Sequence, residues 1–314
     1  MKIAHPFIAV VLLAVSTASI ASEAIDPDSG LKFTDVSFMD AALWRADTVA
    51  DHRIRYGDGL SGVQFGDLRL PDGSAPESGF PVIVFIHGGA WRADWSKDYT
   101  EALVERLVTQ GFATWDLEFR RMGNRGGGYP GTLEDVADGL DHLRELADEY
   151  PLDLANVIAM GHSSGGHLAL WLAGRHHLAE SSPLHREDPL PLRGVISIAG
   201  VNDLELALTL GDRTDVLELA GVDDLASGRD RLGEVDPGRL LSLGVPQVQI
   251  IGDRDADWRL DMHQRFEAKA RDAGDSIRTL IVPGANHMDI VDGASGMAPV
   301  LTGIARELLS TTLE

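Results

Sequence analysis

The chain is 314 residues long, 44% hydrophobic and 24% charged, with 14 prolines, which is the composition of a globular protein with a full core and not of a disordered or fibrous one. Its 27 basic and 49 acidic residues leave a net charge of −22, a sign that repels phosphate backbones and anionic lipid, so neither nucleic acid nor a membrane is expected as a partner. It has no cysteine, which removes disulfides, thiol nucleophiles and cysteine-based metal sites together.

The first residues run charged, apolar, small: Lys2, an apolar stretch over 8–15, then Ser16, Thr17, Ala18, Ser19, Ala21 and Ser22. The apolar stretch is too short to span a bilayer, so residues 1–21 are expected to be a secretory signal peptide, with cleavage after Ala21 or at the latest Ala24, and a secreted or periplasmic location. No linker-like tract or internal repeat divides the remainder, and 22–314 is expected to form one domain. Residues 63–70 read as a strand ended by Pro71-Asp72-Gly73, and the continuous apolar run 81–86 reads as a buried strand. Leu103, Leu107 and Val108 share one face of a helix over 99–110 stopped by Gly111, and 112–117 returns to strand character. After the glycine-rich loop 123–131, Thr132 is expected to cap a helix reaching Tyr150, and 156–160 is a buried strand leading into Gly161.

A helix follows Ser163, then a strand over 195–199, a polar and acidic helical stretch over 203–241, a strand over 247–251, a helix over 258–273, a strand over 277–282 and a final helix to Leu309. Repeated strand–helix units with apolar strands predict an α/β protein, with a mostly parallel central sheet and helices on both faces. Sites in such sheets lie at the carboxyl ends of the strands. The stretch 203–241 interrupts the alternation and is expected to act as a lid or pocket wall.

Gly161-His162-Ser163-Ser164-Gly165 matches the strand–turn–helix pattern that presents a nucleophilic serine, the flanking glycines allowing strand and helix to approach. His87-Gly88-Gly89-Ala90-Trp91 follows directly on the strand 81–86. Its glycines leave backbone N–H groups uncovered, and Gly88, Gly89 and Ala90 are expected to form an oxyanion hole with the N–H of Ser164. His87 is expected to anchor that loop. A serine needs a base, and a base an orienting acid. Of eleven histidines, His287 lies in the loop after the last strand, whereas His162, His167, His176 and His177 surround the nucleophile's own helix and are expected to pack or face solvent. Asp253-x-Asp255-x-Asp257 imitates a calcium loop, but Trp258 stands where glycine is needed and Gln264 where glutamate is needed. His162 and His167, five apart, are poorly spaced for one metal, and no metal is implied.

With Glu118-Phe119-Arg120-Arg121, Gly166-His167-Leu168-Ala169 and Pro283-Gly284-Ala285-Asn286-His287 added, the chain resembles the carboxylesterase branch of the α/β hydrolases that includes arylformamidase-like and feruloyl/acetyl-xylan-esterase-like enzymes, over roughly residues 60–310. The resemblance implies the α/β-hydrolase fold, a triad in the chain order Ser163, Asp255, His287, an oxyanion loop at the His-Gly-Gly-x-Trp segment, and no cofactor. The acid's usual setting ends in Val-Pro, where this chain has Trp258-Arg259, and Asp257 therefore stands as the second candidate acid. The activity implied is hydrolysis of small or medium carboxylic esters. The alternatives are an amide or peptide hydrolase such as an arylformamidase, and a non-catalytic binding protein on the same scaffold. Trp91, Trp44 and Tyr129 are candidates for the pocket lining, and the oligomeric state is left open.

Overall fold

The computed structural model describes residues 23–25, 30–42, 44, 49–57 and 62–311, and the expected signal peptide over 1–21 lies outside the described residues. In chain order the elements are β1 (Glu23–Ala24), α1 (Phe38–Ala41), β2 (His52–Arg55), β3 (Phe65–Arg69) and β4 (Phe80–Ile86). A 3₁₀ turn at Lys97–Thr100 then runs into α2 (Glu101–Thr109), followed by β5 (Ala113–Glu118), α3 (Gly131–Asp141), α4 (Leu143–Glu149), β6 (Leu152–His162) and α5 (Ser164–Gly174). The last part holds β7 (Gly194–Ile198), α6 (Leu204–Gly211), α7 (Asp215–Ala220), α8 (Arg229–Val235), β8 (Gln247–Gly252), α9 (Asp257–Asp272), β9 (Ile277–Val282) and α10 (Met297–Ser310).

The strands form one sheet in the order β1-β9-β8-β7-β6-β4-β5-β3-β2. Neighbours from β1 across to β5 pair in parallel, and at the far edge β3 pairs antiparallel with both β5 and β2. The parallel part is buried on both faces, because crossover helices cover each side. Alternation along β4 shows the division: Val82, Val84 and Ile86 enter a core with Leu133, Leu168, Trp171 and Phe266, from α3, α5 and α9. Ile83 and Phe85 enter the opposite core with Leu103, Leu107, Leu301 and Ala305, from α2 and α10. This is the expected architecture, the α/β-hydrolase fold.

Three local expectations change. The helix expected to run unbroken to Tyr150 is split at His142 into α3 and α4, and Thr132 sits inside the first turn of α3, not at its cap. There its hydroxyl donates to the Arg120 carbonyl at 2.6 Å and accepts from the Gly128 N–H at 2.9 Å, pinning the glycine-rich loop. The stretch 203–241 is also less polar in effect than in composition. Leu204, Ala207, Val216, Leu219, Leu232 and Val235 are buried in the main core, so α6, α7 and α8 are anchored to the body by their apolar faces.

Candidate active site

Ser163 stands at the junction of β6 and α5 with φ 54° and ψ −119°, a conformation that side chains other than glycine rarely adopt and that surrounding structure must impose. The imposition is visible in the two flanking glycines. A Cβ on Gly161 would lie 2.1 Å from the Gly165 carbonyl oxygen, and one on Gly165 would lie 2.0 Å from the Ile86 carbonyl oxygen. Strand β6, helix α5 and the end of β4 therefore meet at separations only glycine permits. The Ser163 N–H donates to the Ile198 carbonyl at 2.8 Å, which fixes the turn against β7.

His287 reaches this turn from the loop after β9. Its Nδ1 lies 2.7 Å from Asp255 Oδ2, and both side chains are almost fully buried. Asp257, the other candidate acid, is exposed as the first residue of α9, and the cap position belongs to Ala256. Burial, the Arg259 charge and the Arg213 charge push the His287 ring below the ordinary imidazole range against the pull of Asp255, so the ring is neutral near pH 7 and able to accept a proton. Burial opposes ionisation of Asp255, but the His287 contact and the Arg259 charge outweigh it and hold the carboxyl down at about 2. Among the described residues no hydrogen bond joins the Ser163 hydroxyl to the ring, a contact that commonly tightens only when substrate docks.

The base loop is tied down by its neighbours. Asp289 accepts from the N–H groups of Asn286 and, across the sheet end, Val36, while Asn286 reaches Asp35 and the Val36 carbonyl. These bonds strap residues 35–38 beside the site and bring the Phe38 ring to 5.4 Å from the His287 ring.

The loop after β4 is more constrained than its sequence indicates. Gly89, Ala90 and Trp91 all have positive φ, 109°, 54° and 55°. The Gly88 N–H, expected in the oxyanion hole, is instead donated to the Tyr99 hydroxyl at 2.7 Å, which corrects that expectation because a satisfied donor does not face an oxyanion. Among the described residues the N–H groups of Gly89, Ala90 and Ser164 have no hydrogen-bond acceptor. Trp91 is a second correction: it is fully buried, with its backbone N–H on the Ser164 hydroxyl at 3.2 Å and its indole N–H on His167 Nδ1 at 3.2 Å. Trp95, from the same loop, lines the cavity in its place. His87 is the expected anchor, its Nδ1 2.7 Å from the Gly88 carbonyl and its Nε2 3.3 Å from Glu118. Trp44 and Tyr129 are not among the residues lining the cavity; the Tyr129 hydroxyl bonds Glu234.

Tyr99 and His162 join the loops, and sequence reasoning left His162 as a packing or solvent-facing residue. The His162 Nε2 lies 3.0 Å from the His287 carbonyl, so that nitrogen carries the proton and Nδ1 accepts from the Tyr99 hydroxyl at 2.7 Å. A single chain of bonds thus runs from the Gly88 N–H through Tyr99 and His162 to the backbone of the base. Burial keeps His162 well below the ordinary imidazole range, which suits its neutral role as donor and acceptor. Its adjacency to the nucleophile was the available signal, but a one-dimensional pattern does not show which ring bridges two loops.

Ser163 and His287 open on a cavity of about 160 Å³, lined also by Phe38, Trp95, Met288, Arg213 and Arg259. Among the described residues no group of three or more His, Asp or Glu side chains is placed to hold a metal.

Residues 67–220 match the family model described as BD-FAE. Esterase LipC of Mycobacterium tuberculosis (strain ATCC 25618 / H37Rv) is 28% identical over 258 residues, which is 77% of this chain and 60% of that protein. The probable isoprenylcysteine alpha-carbonyl methylesterase ICME of Oryza sativa subsp. japonica is 29% identical over 103 residues, 33% of this chain and 24% of that protein. The chain therefore spans about 60% or less of the length of these curated relatives. A truncated carbohydrate esterase from gut microbiota superposes with a TM-score of 0.71 at 19% identity, covering 85% of this chain and 100% of that one. Esterase B from Lactobacillus Rhamnosis (HN001) superposes at 0.70 and 19% identity, covering 84% and 88%. At such identities the likeness establishes the fold.

Proposed function

Taking the chain as an α/β hydrolase of the esterase branch, whose central segment is similar to BD-FAE, we propose that it is a serine hydrolase of small carboxylic esters. The observation that carries this is the 2.7 Å pairing of His287 with Asp255 on the cavity that holds the strained Ser163. Ser163 Oγ attacks the ester carbonyl while His287 Nε2 takes its proton, and Asp255 holds the Nδ1–H and stabilises the imidazolium that forms. The oxyanion is received by the N–H groups of Gly89, Ala90 and Ser164, the last assisted by the positive end of α5. His287 then returns the proton to the departing alcohol, and a water activated by the same ring releases the acid. The names of the relatives, which call them esterases, support this choice of substrate bond. A cavity of about 160 Å³ favours a short acyl or alcohol group over a long chain. The charged, apolar, small order of the first residues supports export.

Labelling with a fluorophosphonate, followed by turnover of matched ethyl esters and amides, tests the proposal. The wild type is expected to be labelled at Ser163 and to cleave esters, and Ser163→Ala is expected to lose labelling and about six decades of turnover. A fully active Ser163→Ala would overturn it, and equal turnover of the matched amide would replace the ester specificity.

A further inference from the structure

The cavity around Ser163 differs in sign from the rest of the molecule. The protein carries a net charge of −22, yet among the described residues no Asp or Glu lines this cavity, while Arg213 and Arg259 both do. Arg259 is only 7% exposed and stands in the first turn of α9, where the helix dipole disfavours a cation. Its hydrogen bond runs from Nη1 to the Ala199 carbonyl at 3.0 Å, and its Nε is 3.6 Å from Asp255, beyond hydrogen-bond reach. Arg213 grips Asp215 with Nε and Nη2, and among the described residues its Nη1 has no hydrogen-bond partner. Both guanidinium groups lie over the Trp258 ring, at 5.6 and 4.6 Å from its centre, so a ring from α9 holds them on one side of the site. Burial brings Arg259 down to about 10, with Arg213 adding to the drop and Asp255 and Asp215 opposing it.

A buried cation costs free energy unless it is paired. Asp215 offsets Arg213, but Asp255 must serve Arg259 as well as the imidazolium formed during catalysis, which leaves positive charge on the cavity wall. From two arginines on the wall of a cavity that, among the described residues, no Asp or Glu lines, we infer that the substrate is an ester that also carries a carboxylate, which Arg213 and Arg259 bind beside the scissile bond. The planar guanidinium fork suits a carboxylate better than any neutral group. This rests on the ester-hydrolase proposal above and adds to it the chemical class of the substrate. The carboxylate can belong to the acyl or to the alcohol half of the ester, and the substrates below separate the two.

Four ethyl or acetyl esters are to be followed by titration of the released acid: monoethyl succinate against ethyl succinamate for the acyl half, and 3-acetoxypropanoate against 3-acetoxypropanamide for the alcohol half. The expected result is a kcat/KM for one acid-bearing ester about tenfold or more above that for its amide twin, the scale of a hydrogen bond to a charged group. Arg213→Gln is expected to collapse that ratio towards one, chiefly through KM, with Arg213→Lys restoring part of it. Arg239→Gln, which removes a charge that pairs with Glu205 outside the cavity, is expected to leave the ratio alone. Esters cleaved with no preference for the acid twin, or a ratio unmoved in Arg213→Gln, overturn the inference while leaving the ester-hydrolase proposal standing. Failure to cleave any ester, together with no fluorophosphonate labelling at Ser163, overturns both.

Discussion

Asp255 and Asp257 stand two residues apart on either side of the start of α9, and their surroundings separate them. Asp255 lies before the helix, where its Oδ1 accepts the Ala256 N–H at 2.7 Å and its Oδ2 meets His287. Asp257 is the exposed first helical residue, where a carboxylate interacts with the dipole for about 0.3–1 kcal/mol. On the proposed mechanism, Asp255→Asn keeps the shape but stabilises the wrong imidazole tautomer, and its turnover is expected to fall by roughly four decades. Asp257→Asn is expected to stay near wild type. Assay of both variants on one activated ester decides it, and the reverse pattern would move the acid two residues downstream. Of the oxyanion donors, Gly89, Ala90 and Ser164 keep their proposed role, whereas Gly88 has a different partner because Tyr99 is there to take its N–H.

At the scale of elements, the helices α6, α7 and α8 are fastened to the body through Asp203 and Asp236. Asp203 caps α6 by accepting the Leu206 N–H at 2.8 Å and also meets Lys269 of α9 at 2.8 Å. Asp236 is fully buried and accepts from the N–H groups of Leu204 and Gly238, both at 3.0 Å. Burial, then the charge of Asp203, raises the Asp236 carboxyl to about 7, against the N–H donors and Lys269. An acid whose folded value is raised contributes stability below its unfolded value near 3.9, and that contribution is lost as pH rises towards the folded value. Resistance to urea is therefore expected to decline between about pH 4 and 7 through this group. Asp236→Asn, which keeps an acceptor oxygen and cannot ionise, is expected to flatten the decline. An identical pH profile in the variant would show that Asp236 is ionised throughout.

Across the whole molecule the excess of 22 negative charges cannot be paired away, because acidic residues outnumber all Lys and Arg together. Exposed pairs such as Arg265 with Asp261 and Arg278 with Glu307 contribute little and weaken in salt, whereas the surplus charge repels itself and is relieved by salt. The screening length falls from about 30 Å at 0.01 M to about 3 Å at 1 M salt, so added salt removes the long-range repulsion, and the thermal midpoint is expected to rise from 10 mM to 0.5 M NaCl at pH 7. A midpoint that falls over that range would mean the local pairs dominate.

The features that sequence alone determined are those with a local physical cause. The apolar strands announce the parallel sheet because burial on both faces leaves no polar alternation, and Gly161-x-Ser163-x-Gly165 announces the turn because only glycine fits where three backbones meet. The split at His142, the apolar faces of α6 to α8, the choice between Asp255 and Asp257, and the bridge from Gly88 through Tyr99 and His162 to His287 depend on which side chains meet across elements far apart in the chain. The two arginines on the cavity belong to the same class. Arg213 follows α6 and Arg259 lies in the first turn of α9, forty-six positions apart, and only the packing of α6 on α9 brings both to the cavity of Ser163. Hydrogen bonds and charges act over a few ångströms in space, so their partners are decided by tertiary packing and leave no periodicity for the sequence to display.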